Sequence, residues 1–557
     1  MPNPDHNGDH AAAHGVVPAP RGWERRPGAF VFDRDVRIIA DGAAADAAWL
    51  LHDTLRSGLG LRTPVAGGAP GPGRAVTLRL DPGGVPAAEG YLLDVTPDAV
   101  DLVAATPAGL HWGVQTLRQL LPPDALRSAP AAGVRGEIPC CRVADEPRFP
   151  WRGVMLDVAR HHMPTDFVLR LIDLAALHKL NRLHLHLTDD QGWRLEVPGW
   201  PRLTEHGGWR AETVRGPAAS PKGYDGTPHG GFYSLAALRE IVAHAAARQI
   251  TVVPEVGLPG HVQAAVAAYP ELGNGGRPPV RTRWGGSTRT LGPGPETSRF
   301  LDDVLTTVLD VFPSPHVHLG GDECLPDEWR ASPRARAFAA RAGLPSVDGL
   351  ASWFLRSLAG RLTEAGRRTV VWDQALEGGG APAGTVAAIW RDWTADDLAA
   401  RALAAGHDVI NCPTRTTYLD HYQSDHPGEP VAFPEVTSLD DVVAFDPAPA
   451  ALIAAGGGRA RVLGTQAQLW TEHLTSPRQV EYMAFPRLGA LAEAAWSAPE
   501  TRAAHPFGSR LPEYLARLDA LSVEYRPPGG PRPWQRGGTG DRARPAPGGP
   551  SAAGPAD

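Results

Sequence analysis

Asp322 and Glu323 stand side by side at the end of a short run, His316-Val317-His318-Leu319-Gly320-Gly321. Adjacent acids in a partly dry cleft raise each other's pKa, because each ionised group disfavours ionisation of the other. Chemistry that needs one protonated and one ionised carboxyl can use that conflict. The run has the alternation of a buried strand, and its two glycines let the backbone come close to something at the strand end. Alone, an Asp-Glu pair is most often a solvated turn. The rest of the chain decides between the two.

Seven other strand-like runs also end in residues suited to binding or catalysis. Their ends are Asp157-Val158-Ala159-Arg160-His161-His162, Thr188-Asp189-Asp190-Gln191-Gly192-Trp193 and Gly257-Leu258-Pro259-Gly260-His261. Trp372, Trp390, Tyr418-Leu419-Asp420 and Trp470-Thr471-Glu472 close the other four. Acids and Arg hold hydroxyls, while indoles cover the apolar face of a ring. Brought to one mouth, these residues form a pocket for a neutral polyol.

Positioning them requires a repeating frame. Strands are expected at 153–158, 182–187, 250–256, 316–319, 369–372, 386–390, 408–411 and 462–469. Between them run helical stripes with apolar residues at i, i+3, i+4 and i+7. These are Val168/Leu171/Ile172/Ala175, Leu238/Ile241/Val242/Ala245 after a Ser234 N-cap, Leu301/Val304/Leu305/Val308, and Phe354/Leu355/Leu358/Leu362. Eight such units imply an α/β fold, a (β/α)8 TIM barrel, whose strand C-termini share one face. A doubly wound sheet is the alternative, but no Gly-rich dinucleotide fingerprint follows the first strand. Long Gly/Pro-rich segments at 205–233 and 274–297 suit a substrate rim.

Before the barrel, strand and helix alternate in a small α+β domain without clustered catalytic groups. The expected organisation is a disordered lead at 1–24, the α+β domain at 25–145, the barrel at 146–526 and a disordered Pro/Gly-rich tail at 527–557. The 557 residues are 43% hydrophobic and 21% charged, as a globular protein with a large core requires. A net charge of −7 gives no reason to expect nucleic-acid binding, and no apolar run is long enough for a membrane span. Cys140, Cys141, Cys324 and Cys412 lack the spacing of a zinc site or a disulfide framework. No cofactor or metal is expected. The polar start lacks the basic and apolar regions of a signal peptide, so the expected location is cytoplasmic, with export open if the true start lies upstream.

The chain resembles glycoside hydrolase family 20, the β-N-acetylhexosaminidases, over about residues 25–525. The motifs that carry the likeness are His318-Leu319-Gly320-Gly321-Asp322-Glu323, Asp157-Val158-Ala159-Arg160-His161, Leu183 to Trp193, Pro259-Gly260-His261 and Trp470-Thr471-Glu472. The first domain is similar to the family's accessory α+β domain. Ordinary retaining glycosidases set two carboxyls about 5–5.5 Å apart across the sugar, which adjacent residues do not readily do. The resemblance implies substrate assistance instead, in which the sugar's own 2-acetamido oxygen attacks C1 to form an oxazolinium ion. It implies Glu323 as general acid and then base, and Asp322 orienting the acetamide. It further implies Arg160 and Glu472 on O3 and O4, Trp372, Trp390 and Trp470 as walls, Tyr418 on the acetamide oxygen, Asp420 on O6, and Asp189–His261 as a relay to Glu323. The implied partner is a carbohydrate, an N-acetylglucosaminide or N-acetylgalactosaminide.

Two departures stand out. Gly257 occupies a position where relatives often carry an acid that supports the catalytic Asp. The stretch 433–446 lacks a Trp that some relatives use near the outer subsite. Two other readings stay open at this point. His184-Leu185-His186 puts two imidazoles on one strand face, as metal hydrolases do and as hydrogen-bonded pairs do. A non-catalytic sugar-binding protein is the third reading.

Overall fold

The structure is a computed structural model and describes residues 15–69, 71–85, 87–394, 397–455 and 461–536. Its contacts divide the chain into two units. One comprises Met1–Phe149, Ala176–Lys179 and Ala492–Glu524, the other Pro150–Ala175, Leu180–Leu491 and Tyr525–Asp557.

The first unit is built on a mixed seven-stranded sheet. Its elements are β1 (Gly22–Phe32), β2 (Arg37–Ala40), α1 (Ala45–Leu59), β3 (Val65–Ala66), β4 (Ala75–Leu80), β5 (Tyr91–Val95), β6 (Ala99–Ala104), α2 (Pro107–Leu120) and β7 (Gly136–Asp145). The sheet order is β1-β7-β5-β6-β4-β2-β3. Tyr91, Leu93 and Val95 alternate into the core as their period-2 spacing requires. Thr106 caps α2 by accepting from the Gly109 N–H, with Pro107 in the first turn.

Three features of this unit depart from expectation. The paired β1 and β7 were not legible, because Pro27-Gly28 interrupts β1 and its register shifts between Arg25 and Ala29. The lead expected to be disordered to residue 24 is placed from Gly15. Val16, Val17 and Ala19 are fully buried, Val17 N–H donates to Gln119 Oε1, and Arg510 donates to Val16 O, so its backbone groups are satisfied. Residues 1–14 lie outside the described residues. The helix Phe507–Ala520, expected with the barrel, groups with this unit, where Arg510 forms a buried ion pair with Glu493. The four cysteines are free.

The second unit is a closed, all-parallel barrel. Its strands are β8 (Trp151–Asp157), β9 (Arg182–His186), β10 (Thr251–Glu255), β11 (His316–His318), β12 (Arg368–Trp372), β13 (Val386–Ile389), β14 (Asp408–Asn411) and β15 (Val462–Leu469). Neighbours in sequence are neighbours in the sheet, and β15 pairs with β8 to close the ring. The expected stripes face inward: Val168, Leu171, Ile172 and Ala175 are buried, as are Leu301, Val304, Leu305 and Val308, while Val242 of the stripe after Ser234 is only partly buried. Ser234 caps its helix by accepting from Ala237 N–H. The alternation fails once, between β12 and β13, where a 3-10 turn, Asp373–Gly379, stands in place of an α-helix. Of the tail, residues 527–536 form turns, tied by Gln535 Nε2 donating to Tyr525 O, and 537–557 lie outside the described residues.

Candidate active site

The strand C-termini meet at a cavity of about 480 Å³, within the usual range for small-ligand sites. Arg160, His261, Asp322 and Glu323 line it together with Trp372 and Trp390. Tyr418, Asp420, Trp470 and Glu472 complete the set that the sequence singled out. Asp189 is the exception. It is buried and pairs with Arg160 and His261, which do line the cavity.

The turn after β11 aims the acidic pair. Gly320 and Gly321 have φ of +69° and +90°. A Cβ on Gly320 would lie 3.0 Å from Gly257 Cα, so the turn packs against the backbone that follows β10. The Asp322 side chain is 17% exposed and that of Glu323 45%, so the two neighbours occupy different environments. Burial, with the charges of Glu323 and Glu255 adding to it against His261, pushes the Asp322 carboxyl up to about 6. His261 Nε2 lies 3.7 Å from both Asp322 Oδ2 and Glu323 Oε2.

Behind His261 runs a chain of alternating charge. Its Nδ1 is 3.2 Å from Asp189 Oδ1, and Asp189 Oδ2 is 3.1 Å from His186 Nε2. His186 Nδ1 is in turn 2.5 Å from Glu255 Oε2. Burial opposes a charged imidazole at His261, but the Asp189 and Asp322 carboxylates outweigh it and hold the group well above the usual histidine range. Burial likewise opposes a charged His186, and Glu255 with Asp189 overcomes it, raising the imidazole to about 10. Asp189 stays ionised despite its burial because Arg160 and His261 flank it.

Glu255 lies inside the strand expected at 250–256, where the sequence assigns it no role. The register places it opposite His186 on one neighbouring strand and His318 on the other. A lone inward-facing acid between two histidine-bearing strands was the signal. Glu255 also meets His184 Nε2 at 2.9 Å and accepts the Trp372 indole N–H at 2.9 Å. His184 and His186 thus close on a carboxylate. His184, Glu255 and His318 offer ligand atoms within 4.8 Å of one another, but Trp372 stands between this buried cluster and the cavity it lines.

The far wall is suited to hydroxyls. Arg160 Nη2 lies 2.9 Å from Asp189 Oδ2, and Nη1 lies 3.2 Å from Asp157 Oδ2 and 3.8 Å from Glu472 Oε1. Burial and the nearby Asp157 charge raise Glu472 to about 7 against the pull of Arg160. Burial also raises Asp420 well above the carboxylate range, with Glu472 adding to it. Glu472 Oε2, Asp420 Oδ1, Trp390 Nε1 and His261 Nε2 are buried and have no hydrogen-bond partner among the described residues. Buried polar atoms are normally paired, so these four atoms around one cavity are available to the polar groups of a ligand.

Aromatic rings form the remaining walls. Trp372 and Trp470 meet at 5.9 Å and 43°, Trp390 stacks on Tyr418 at 6.3 Å, and the Arg160 guanidinium lies 4.9 Å from the Trp470 ring. Ala218 and Trp284–Gly286 reach the rim from the two long segments, as their position after strand ends suggested. Phe433 and Glu435 stand on the rim in the stretch without Trp. At Gly257 a Cβ would meet only ordinary contacts, His261 Cβ and Thr188 O at 3.5 Å, and the charged neighbour of Asp322 on this side is His261.

Known proteins match both parts of the chain. The family model described as "Glycosyl hydrolase family 20, catalytic domain" matches residues 149–499, and "Glycosyl hydrolase family 20, domain 2" matches residues 13–146. A Beta-hexosaminidase of Porphyromonas gingivalis is 36% identical over 530 residues, covering 94% of this chain and 66% of that protein. A Beta-N-acetylhexosaminidase of Cellulomonas fimi is 37% identical over 469 residues, covering 81% of this chain and 86% of its own length. The crystal structure of a GH20 exo-β-N-acetylglucosaminidase from Vibrio harveyi, solved with N-acetylglucosamine, superposes with a TM-score of 0.80 at 30% identity, covering 95% of this chain and 81% of that one.

Proposed function

The chain belongs to glycosyl hydrolase family 20 and is a glycosidase of the β-N-acetylhexosaminidase type; on that premise we propose how its residues divide the work. The substrate is a terminal non-reducing N-acetylhexosamine in β linkage, and hydrolysis retains configuration. Glu323 protonates the glycosidic oxygen as the C1–O bond breaks. The acetamido carbonyl oxygen bonds to C1 in the same step, giving an oxazolinium ion. Water then attacks C1, gives its proton to Glu323 and reopens the ring.

Asp322 is ionised in this scheme. It orients the acetamide N–H and offsets the positive charge that develops on the ring, the kind of preorganised electrostatic effect that is often the largest in catalysis. Tyr418 donates to the acetamide oxygen while Trp372 and Trp390 enclose the methyl group. Arg160 and Glu472 bind O3 and O4, Asp420 binds O6, and Trp470 lies under the ring. Asp189 and His261 set the charge facing Glu323.

The observation that carries this reading is the placement of Asp322 and Glu323 3.7 Å from one imidazole at the mouth lined by Arg160, Trp470 and Glu472. A chromogenic N-acetyl-β-glucosaminide tests it against the corresponding β-glucoside. Release is expected from the first and none from the second, which lacks the internal nucleophile. Brisk turnover of the glucoside would overturn substrate assistance.

A further inference from the structure

Glu323 has a φ of +48°, in the left-handed region that side chains disfavour. A residue stays there only where its surroundings fix it. The Glu323 carboxylate does not supply that constraint. It approaches His261 at 3.7 Å, too long for a hydrogen bond, and is half-exposed. Its direction is therefore set by the backbone beneath it.

That backbone rests on the 3-10 turn after β12. Trp372 N–H donates to Gly320 O at 2.9 Å. Gly321 comes so close to the turn that a Cβ there would lie 2.7 Å from Ala375 Cβ. Between those two contacts, the Glu323 N–H donates to Gln374 Oε1 at 2.9 Å. The turn itself is anchored, because Asp373 Oδ2 accepts from the backbone N–H of Trp390 at 2.9 Å and of Arg391 at 3.1 Å.

We propose that Gln374 is a positioning residue for the proton donor: its side-chain carbonyl holds the left-handed turn of Glu323 and so aims the carboxyl at the glycosidic oxygen. The inference rests on the reading of Glu323 as the acid and adds to it the group that fixes its aim. A misaimed acid damages only the proton transfer. The damage is thus large for a poor leaving group and small for one that departs unprotonated.

The test compares methyl and 2,4-dinitrophenyl N-acetyl-β-glucosaminides with Gln374→Leu, which keeps the bulk but loses the acceptor, and with Gln374→Glu, which keeps it. For Gln374→Leu, kcat/KM on the methyl glycoside is expected to fall about 10–100-fold, and on the dinitrophenyl glycoside by less than about threefold. Gln374→Glu is expected to recover most of the loss. Equal losses on both substrates, or no loss on the methyl glycoside, overturn the proposal. Glu323→Gln run on the same pair separates the two ideas. If it shows the selectivity while Gln374→Leu does not, only the role of Gln374 falls. If it does not, the acid assignment and the inference fall together.

Discussion

The indole N–H of Trp372 donates to Oε1 of Glu255 at 2.9 Å, so a wall of the sugar pocket hangs on a carboxylate buried among imidazoles. The Trp372 wall of the cavity and the chain of buried histidines thereby share one support. Glu255→Leu removes one of the two carboxylates that hold a charged His186 in a fully buried place, and with it the acceptor of the Trp372 N–H. The expected cost is on the order of 3–5 kcal/mol of stability, since breaking a buried ion pair is strongly destabilising and the Trp372 N–H loses its acceptor. Denaturant titration measures it, and an unchanged midpoint would remove the cluster from the stabilising core.

The pH profile of kcat/KM should carry the mark of Asp322. In the proposed scheme its ionised form is the working one, and burial pushes its carboxyl up to about 6. Activity is therefore expected to fall as pH drops through about 6, where an unshifted aspartate would hold to about 4. Asp322→Asn should lower kcat by about 10²–10³ and abolish that acid limb. A limb near 4 in the parent enzyme would contradict the assignment.

Arg160→Lys keeps the charge and loses the planar fork that spans Asp157, Asp189 and Glu472. Lost hydrogen bonds to charged groups of about 1.5–3 kcal/mol correspond to about a 10–100-fold fall in kcat/KM. In the proposed scheme Arg160 holds the hydroxyls in both ground and transition states, so the loss should appear chiefly in KM. A variant with unchanged KM would detach Arg160 from the sugar.

Chelation offers a separate check on the histidines. Both oxygens of Glu255 already meet imidazole nitrogens, and one also accepts the Trp372 N–H. Incubation with a strong chelator, followed by dialysis, is expected to leave both turnover and melting temperature unchanged. Loss of either, restored by a divalent metal, would reinstate the metal reading of His184 and His186.

Much of this site was legible because a barrel converts sequence order into spatial order. Once eight strands are recognised, whatever follows each one faces the same mouth, and Arg160, Asp322, Trp390 and Glu472 could be gathered without coordinates. Relations perpendicular to the strands were not legible. Glu255 became a hub only through its register against His186 and His318. Asp189 stands at a strand end as the lining residues do, yet it is buried and pairs with Arg160 and His261, which themselves line the cavity. Gln374 carries no signal in a string of residues, since its use depends on a left-handed Glu323 on the preceding turn. In the first unit β1 stayed hidden because Pro27-Gly28 breaks the alternation that would mark it.

Closure of the ring has a consequence for synthesis. His161 N–H donates to Thr471 Oγ1 across 310 residues of chain, and the same junction brings Arg160 toward Glu472. A contact of that span forms late, after most of the polypeptide has left the ribosome. Nascent chains halted before Val462 would hold Arg160 and the acidic pair but lack Trp470 and Glu472, leaving the cavity open on one side however well their earlier strands had paired.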